Sequence, residues 1–106
     1  KGSEINNVIS KFAKKTNWKI FDDETFGGYS NIDNKLVDFI NNFFQNTGIM
    51  LDPIYNSKMV FRIIKLIENN QWEFGKKILL INTGGLQSIK EMNIKLKKKG
   101  CDIIKY

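Results

Sequence analysis

The chain has 106 residues, 42% of them hydrophobic, and a formal net charge of +6. Its eight Phe and two Trp exclude a disordered tail, because disordered chains lack the apolar residues that drive burial, and no apolar run approaches the roughly 20 residues that span a bilayer. The chain has no histidine, which removes the usual general base and the commonest metal ligand, and the single Cys101 excludes an internal disulfide or a zinc site and suits a reducing, cytoplasmic setting.

The first residues, KGSEINNV, lack the charged-then-apolar layout of a signal peptide. Ile5, Val8, Ile9 and Phe12 recur at helical spacing and predict an amphipathic helix. Trp18–Phe21 reads as a short strand. The acidic cluster Asp22, Asp23 and Glu24 lacks the spaced oxygen ligands of a calcium loop, so it reads as a solvated turn and no metal is expected. Phe26–Asn31 reads as a loop in which Gly27 and Gly28 permit unusual backbone angles.

Asp33 is the predicted cap of a second helix whose apolar face holds Leu36, Val37, Ile40, Phe43 and Phe44, with Gly48 as its stop. Residues 48–58 read GIMLDPIYNSK and hold the only proline, Pro53. A third helix is predicted from about Tyr55–Ser57 to Glu68, with so little polar face that it should be buried between other elements. Ile78–Ile81 is a continuous apolar run, the pattern of a strand buried on both faces in a parallel sheet. It leads into Asn82, Thr83, Gly84 and Gly85, then a helix from about Leu86 to Lys99 and a short final strand at Cys101–Ile104. Lys95, Lys97, Lys98 and Lys99 before Gly100 match the last turn of a helix, where cations meet the negative end of the dipole. With one Arg and no aromatic RNP-like motif, nucleic-acid binding is not expected.

Helices alternating with short strands predict an α/β class: a three-layer helix/sheet/helix fragment with a mostly parallel sheet, in which residues 1–106 form one partial domain. In such sheets ligands sit beyond the carboxyl ends of strands. Gly27–Tyr29 and Thr83–Gly85 occupy such positions, and the second precedes a helix whose dipole favours an anion. Either Gly-Gly pair is equally readable as a tight turn. Tyr55, behind the rigid Pro53, is readable as a proton donor or acceptor in a chain without histidine, or as a packing residue with a hydrogen-bonded hydroxyl.

Taken together, GGYSN, the Phe-rich helix, TGIMLDPIYNSKM and ILLINTGGLQ stand in an order that resembles the C-terminal part of one family. It is the pyridoxal-phosphate enzymes of fold type II, tryptophan synthase beta-like, that include 1-aminocyclopropane-1-carboxylate deaminase and D-cysteine desulfhydrase. The desulfhydrase type carries a GGYA-like loop, a G-I-x-L-D-P-V-Y-T-G-K segment and a strand ending H-T-G-G-L-Q. The resemblance implies that Tyr55 and Tyr29 are active-site tyrosines, with Tyr55 assisting proton transfer or nucleophilic attack. It implies that Thr83 faces the pyridine nitrogen of pyridoxal phosphate, that Gly84 and Gly85 let the backbone approach the ring, and that Asn56 lies at the substrate. A neutral hydroxyl at that nitrogen weakens the electron sink and favours limited eliminations.

The departures are Asn56 where desulfhydrases have Thr and deaminases Glu, Ser57 for Gly, and Asn82 for His. The family's cofactor lysine, in a GNK-type motif, and its glycine-rich phosphate loop have no counterpart among the 16 lysines and eight glycines here. Lys58 matches a different family lysine. The resemblance therefore implies the C-terminal segment of a deaminase or desulfhydrase, a lyase that releases ammonia, inactive alone and unable to hold the cofactor covalently. Its expected partners are an amino-acid substrate, the missing N-terminal part of the fold and a second copy. A non-catalytic binding module is the alternative reading, and a basic nucleic-acid binder the weaker one.

Overall fold

The computed structural model describes residues 2–21 and 31–106. Four helices follow in order: α1 (Gly2–Phe12), α2 (Asn34–Thr47), α3 (Asn56–Glu68) and α4 (Ser88–Lys98). The start of α2 is set by Asp33, whose side chain accepts the backbone N–H of Leu36 at 2.9 Å. This satisfies one of the donors that every helix start leaves open. The helix ends at Gly48, which takes a left-handed φ of 72° and donates its N–H to the Phe44 carbonyl at 2.8 Å. A side chain there would be strained, so glycine makes a clean stop. At the other end of the chain α4 carries Lys95, Lys97 and Lys98 in its last turn, followed by Gly100 at φ 70°. The lysine run is thus a dipole-matched helix end.

The core is one cluster. Leu36, Val37 and Ile40 from α2, Phe61 from α3, Met92 and Leu96 from α4, and Ile104 are all buried. Phe39 of α2 meets Phe61 of α3 edge to face, with ring centroids 5.2 Å apart. That arrangement sets the positive edge of one ring against the negative face of the other.

The predicted three-layer α/β arrangement with a parallel sheet is not what the chain adopts: among the described residues there are four helices and no strand. The physical reason differs at each expected strand. The final segment, Cys101–Ile104, is held by side chains instead of a neighbouring strand. Asn41 on α2 donates its amide to the Ile103 carbonyl at 3.0 Å and accepts the Lys105 N–H at 2.8 Å. Asn93 on α4 does the same for the Ile104 carbonyl at 3.0 Å and the Ile104 N–H at 2.9 Å. Two asparagines, one on each flanking helix, take over the pairing that a ladder would supply. Tyr106 then ties this segment to residue 51, its hydroxyl accepting the Leu51 N–H at 2.8 Å and donating to the Leu51 carbonyl at 3.2 Å. Burial raises the Tyr106 phenol above its ordinary value, the Leu51 bond opposes that rise, and Asp52 adds to it.

Ile78–Ile81 has no ladder partner among the described residues, and Leu79 is 86% exposed. The apolar run is real, but a strand buried on both faces needs a neighbour for its backbone and a layer on each side. Neither is supplied here. The run instead borders a groove with Met59 and Ile63 of α3. Trp18–Phe21 is likewise outside any ladder. The expected amphipathic helix at the start is present, yet Ile5, Val8 and Phe12 on its apolar face remain exposed.

This distribution makes a testable contrast. Ile40→Ala removes a fully buried side chain and is expected to cost about 2–5 kcal/mol in urea unfolding followed by circular dichroism. Leu79→Ala is expected to stay within about 0.5 kcal/mol of the parent. Equal effects would place the core elsewhere.

Candidate functional site

The turn before α3 is built on Asp52, which is 1% exposed. Its Oδ2 accepts the N–H groups of Ile54 at 3.0 Å and Tyr55 at 2.8 Å. Its Oδ1 accepts the Asn56 N–H at 2.9 Å and the Asn56 Nδ2 at 2.6 Å. The Asp52 carbonyl takes the Ser57 N–H at 3.2 Å as well. Aspartate serves here because its short side chain folds back onto the amides that follow it. Pro53 suits the next position, since it has no N–H to leave unsatisfied and its φ is preset for a turn. Tyr55 stands at the cap position of α3 but makes no capping bond through its side chain. Asp52 supplies the cap from three residues upstream.

Asn56 carries the connection onward. Its Nδ2 donates to the Gly84 carbonyl at 2.9 Å and lies 3.4 Å from the Thr83 Oγ. Its Oδ1 faces the Thr83 N–H at 3.4 Å and the Thr83 hydroxyl at 3.5 Å. The Thr83–Gly85 loop is thereby drawn against the start of α3. Gly85 permits the close approach: a Cβ there would stand 3.2 Å from both Cβ and Cγ of Asp52, and its φ is +95°. Gly84, at φ +90°, faces open space instead. On the far side the Ser88 hydroxyl donates to the Gly85 carbonyl at 2.8 Å, linking the loop to α4.

Of the expected site residues within the described part, the structure brings Asn56, Thr83, Gly84 and Gly85 together, and Tyr55 precedes Asn56 in the turn. Tyr29 and the loop around it, together with Asp22–Glu24, lie outside the described residues. Tyr55 is 60% exposed, and Thr83 is exposed as well. Asn56, expected at the substrate, is 3% exposed with its amide turned inward. Ser57 is fully buried, and its hydroxyl has no hydrogen-bond partner among the described residues. Lys58 is half-buried; burial lowers its ammonium below the ordinary value and Asp33 partly opposes this. Asp52 is the residue for which sequence reasoning assigned no role, although an Asp-Pro pair just before a helix is a turn signal in its own right.

Thr83 is exposed and is followed by a glycine with open space where a Cβ would stand, which leaves room for one edge of a flat heteroaromatic ring. A hydroxyl meets a ring nitrogen in the ring plane, and a glycine backbone lets the ring come close. Among the described residues no cluster of three His, Cys, Asp or Glu side chains is placed to hold a metal ion. The two glycines of this edge differ in a measurable way. Gly84→Ala meets only backbone strain and is expected to cost about 1–2 kcal/mol. Gly85→Ala adds a tight 3.2 Å contact with the buried Asp52 and is expected to cost more by urea unfolding. An equal or smaller cost would contradict the close approach.

No protein-family model matches the chain, and no solved structure matches it. Curated proteins do. A candidate 1-aminocyclopropane-1-carboxylate deaminase of Pyrococcus horikoshii is 32% identical over 89 residues, covering 79% of this chain and 27% of that protein. The mitochondrial bifunctional D-cysteine desulfhydrase/1-aminocyclopropane-1-carboxylate deaminase of Arabidopsis thaliana is 38% identical over 61 residues, covering 56% and 15%. A candidate 1-aminocyclopropane-1-carboxylate deaminase of Pyrococcus furiosus is 30% identical over 95 residues, covering 80% and 28%. The chain thus spans between 15% and 28% of the length of these relatives. Over 56% to 80% of its own length the chain is thus similar to a part of curated 1-aminocyclopropane-1-carboxylate deaminase and D-cysteine desulfhydrase proteins.

Proposed function

We propose that the chain supplies part of the active site of a pyridoxal-phosphate-dependent amino-acid lyase, corresponding to the C-terminal segment of the family's enzymes. The observation that carries this reading is the joining of the turn that bears Tyr55 to the loop that bears Thr83. The two residues are 28 positions apart in the sequence, yet the turn before α3 and the glycine loop are joined through Asn56. The complete enzyme would take an amino acid and water to an α-keto acid and ammonia, with sulfide as a further product where the substrate carries a thiol. When bound, pyridoxal phosphate withdraws electrons from the substrate's α-carbon.

This chain's own residues would do the following. The Thr83 hydroxyl meets the ring nitrogen and Gly84 admits the ring edge, while Gly85 lets the loop close onto Asp52. The Tyr55 hydroxyl stands on the solvent side of the turn, where it contacts substrate and donates or accepts a proton. Tyr29 supplies a second tyrosine. Association supplies what the chain does not. Exposed apolar side chains such as Phe12, Leu79 and Ile81 suit coverage by the rest of the enzyme, by a second copy, or by both. No described helix is long and apolar enough to cross a membrane. The single Cys101 supports a cytoplasmic location.

The test is complementation. The chain is mixed with a polypeptide covering the remainder of a family enzyme, loaded with pyridoxal phosphate, and assayed for keto acid and ammonia from D-cysteine and from 1-aminocyclopropane-1-carboxylate. Activity is expected, and Tyr55→Phe is expected to lower kcat about 100-fold or more, as for loss of a positioned proton-transfer group. A complemented complex that binds pyridoxal phosphate but releases no ammonia would favour a non-catalytic module. Unchanged turnover in Tyr55→Phe would remove the tyrosine from the mechanism.

A further inference from the structure

We infer that Asn56 is a positioning residue: its side-chain amide latches the Thr83–Gly85 loop to the start of α3 and so sets where the Thr83 hydroxyl stands. The importance of that hydroxyl rests on the proposed function, while the latch rests on geometry alone. An asparagine side chain has two N–H donors and one carbonyl oxygen. One donor is committed to Asp52 Oδ1 at 2.6 Å and the other to the Gly84 carbonyl at 2.9 Å. The amide cannot turn over, because that would set its oxygen against the Asp52 carboxyl oxygen at the same short distance. Its oxygen therefore faces Thr83, with the N–H at 3.4 Å and the hydroxyl at 3.5 Å. No donor is left over for a substrate.

Asp52 makes the fixed end of the device. Three consecutive backbone N–H groups, those of Ile54, Tyr55 and Asn56, hold its carboxylate. The position of the carboxylate is thus the position of the helix start, and Asn56 transmits it to a loop 27 and 28 residues away in sequence. Gly85 closes the arrangement from the other side, since a Cβ there would press on Asp52 at 3.2 Å. A cap for α3 alone would need Asp52 and the backbone amides. The contacts from Asn56 to Thr83 and Gly84 add nothing to the helix and serve only the loop.

The test is nuclear magnetic resonance on the whole chain. In the parent protein a through-hydrogen-bond coupling between the Asn56 side-chain nitrogen and the Gly84 carbonyl carbon is expected; a loop that is rigid without it would overturn the latch. Backbone order parameters at residues 83–85 are expected near 0.85 in the parent and to fall below about 0.6 in Asn56→Ala, with α3 unchanged. A loop that stays rigid in a folded Asn56→Ala protein would also overturn it. The exchanged pair Asp52→Asn with Asn56→Asp separates the latch from a helix cap. It restores an amide-to-carboxylate bond within the turn but leaves the Gly84 carbonyl without its donor. Order should therefore be kept at residues 54 and 55, whose N–H groups the residue-52 oxygen still accepts, and lost at residues 83–85, whereas a loop that stays rigid in this pair would assign Asn56 a capping role only. Pyridoxal phosphate titrated into the complex of the labelled chain with the remainder of a family enzyme reports on the other question. If the Thr83 signals do not move while the coupling is present, the proposed function fails and the latch stands.

Discussion

The carboxylate of Asp52 is the constraint on which the site depends. A carboxylate taken out of water costs several kcal/mol unless its oxygens are satisfied. Here both oxygens are engaged by N–H donors, three from the backbone and one from Asn56. Those bonds can form only if the chain turns sharply at Pro53 and enters α3 at residue 56. The solvation of one buried group therefore dictates the turn, the first residue of the helix and the orientation of the amide that reaches the glycine loop. Tyr55 is exposed as a consequence, because it sits on the outer side of a turn whose inner side is filled by Asp52.

The same economy recurs away from the site. Asn41 and Asn93 satisfy both the donor and the acceptor needs of the segment after α4, and Tyr106 satisfies both groups of Leu51. The chain joins its helices with side-chain amides and one phenol where an α/β protein would use strand ladders. Leu51, which Tyr106 holds, directly precedes Asp52. The anchor of the C-terminal segment and the anchor of the site are therefore adjacent in the chain, and Ile104 of that segment enters the core beside Leu36 and Leu96. The core and the site are coupled through two neighbouring residues.

The helices were legible in the sequence because their signals are local. Asp33 and Gly48 bracket α2 by chemistry that acts within one turn, and the lysines before Gly100 do the same for α4. The sheet was misread because an apolar run such as Ile78–Ile81 reports only that the side chains avoid water. It does not report whether a neighbouring strand exists to pair with. Pairing through Asn41 and Asn93 leaves no periodic trace, since one asparagine on each helix is indistinguishable from a solvated surface residue. At the site, Tyr55, Thr83 and the glycines were singled out by motif order, and the structure joins the Thr83–Gly85 loop to Asn56 at the start of α3. Asn56, which family position puts at the substrate, has its amide drawn inward by its neighbour at i−4, Asp52.

The most direct test compares the two aspartates that start helices. Asp33 caps α2 through a single bond to Leu36, whereas Asp52 holds the turn, α3 and the loop together. Thermal and urea unfolding of Asp33→Ala is expected to show a loss of about 0.5–2 kcal/mol, the ordinary range for a helix cap. Asp52→Ala is expected to lose clearly more, because four donors are orphaned at once in a buried place. An Asp52→Ala protein no less stable than Asp33→Ala would contradict the central role given to this carboxylate.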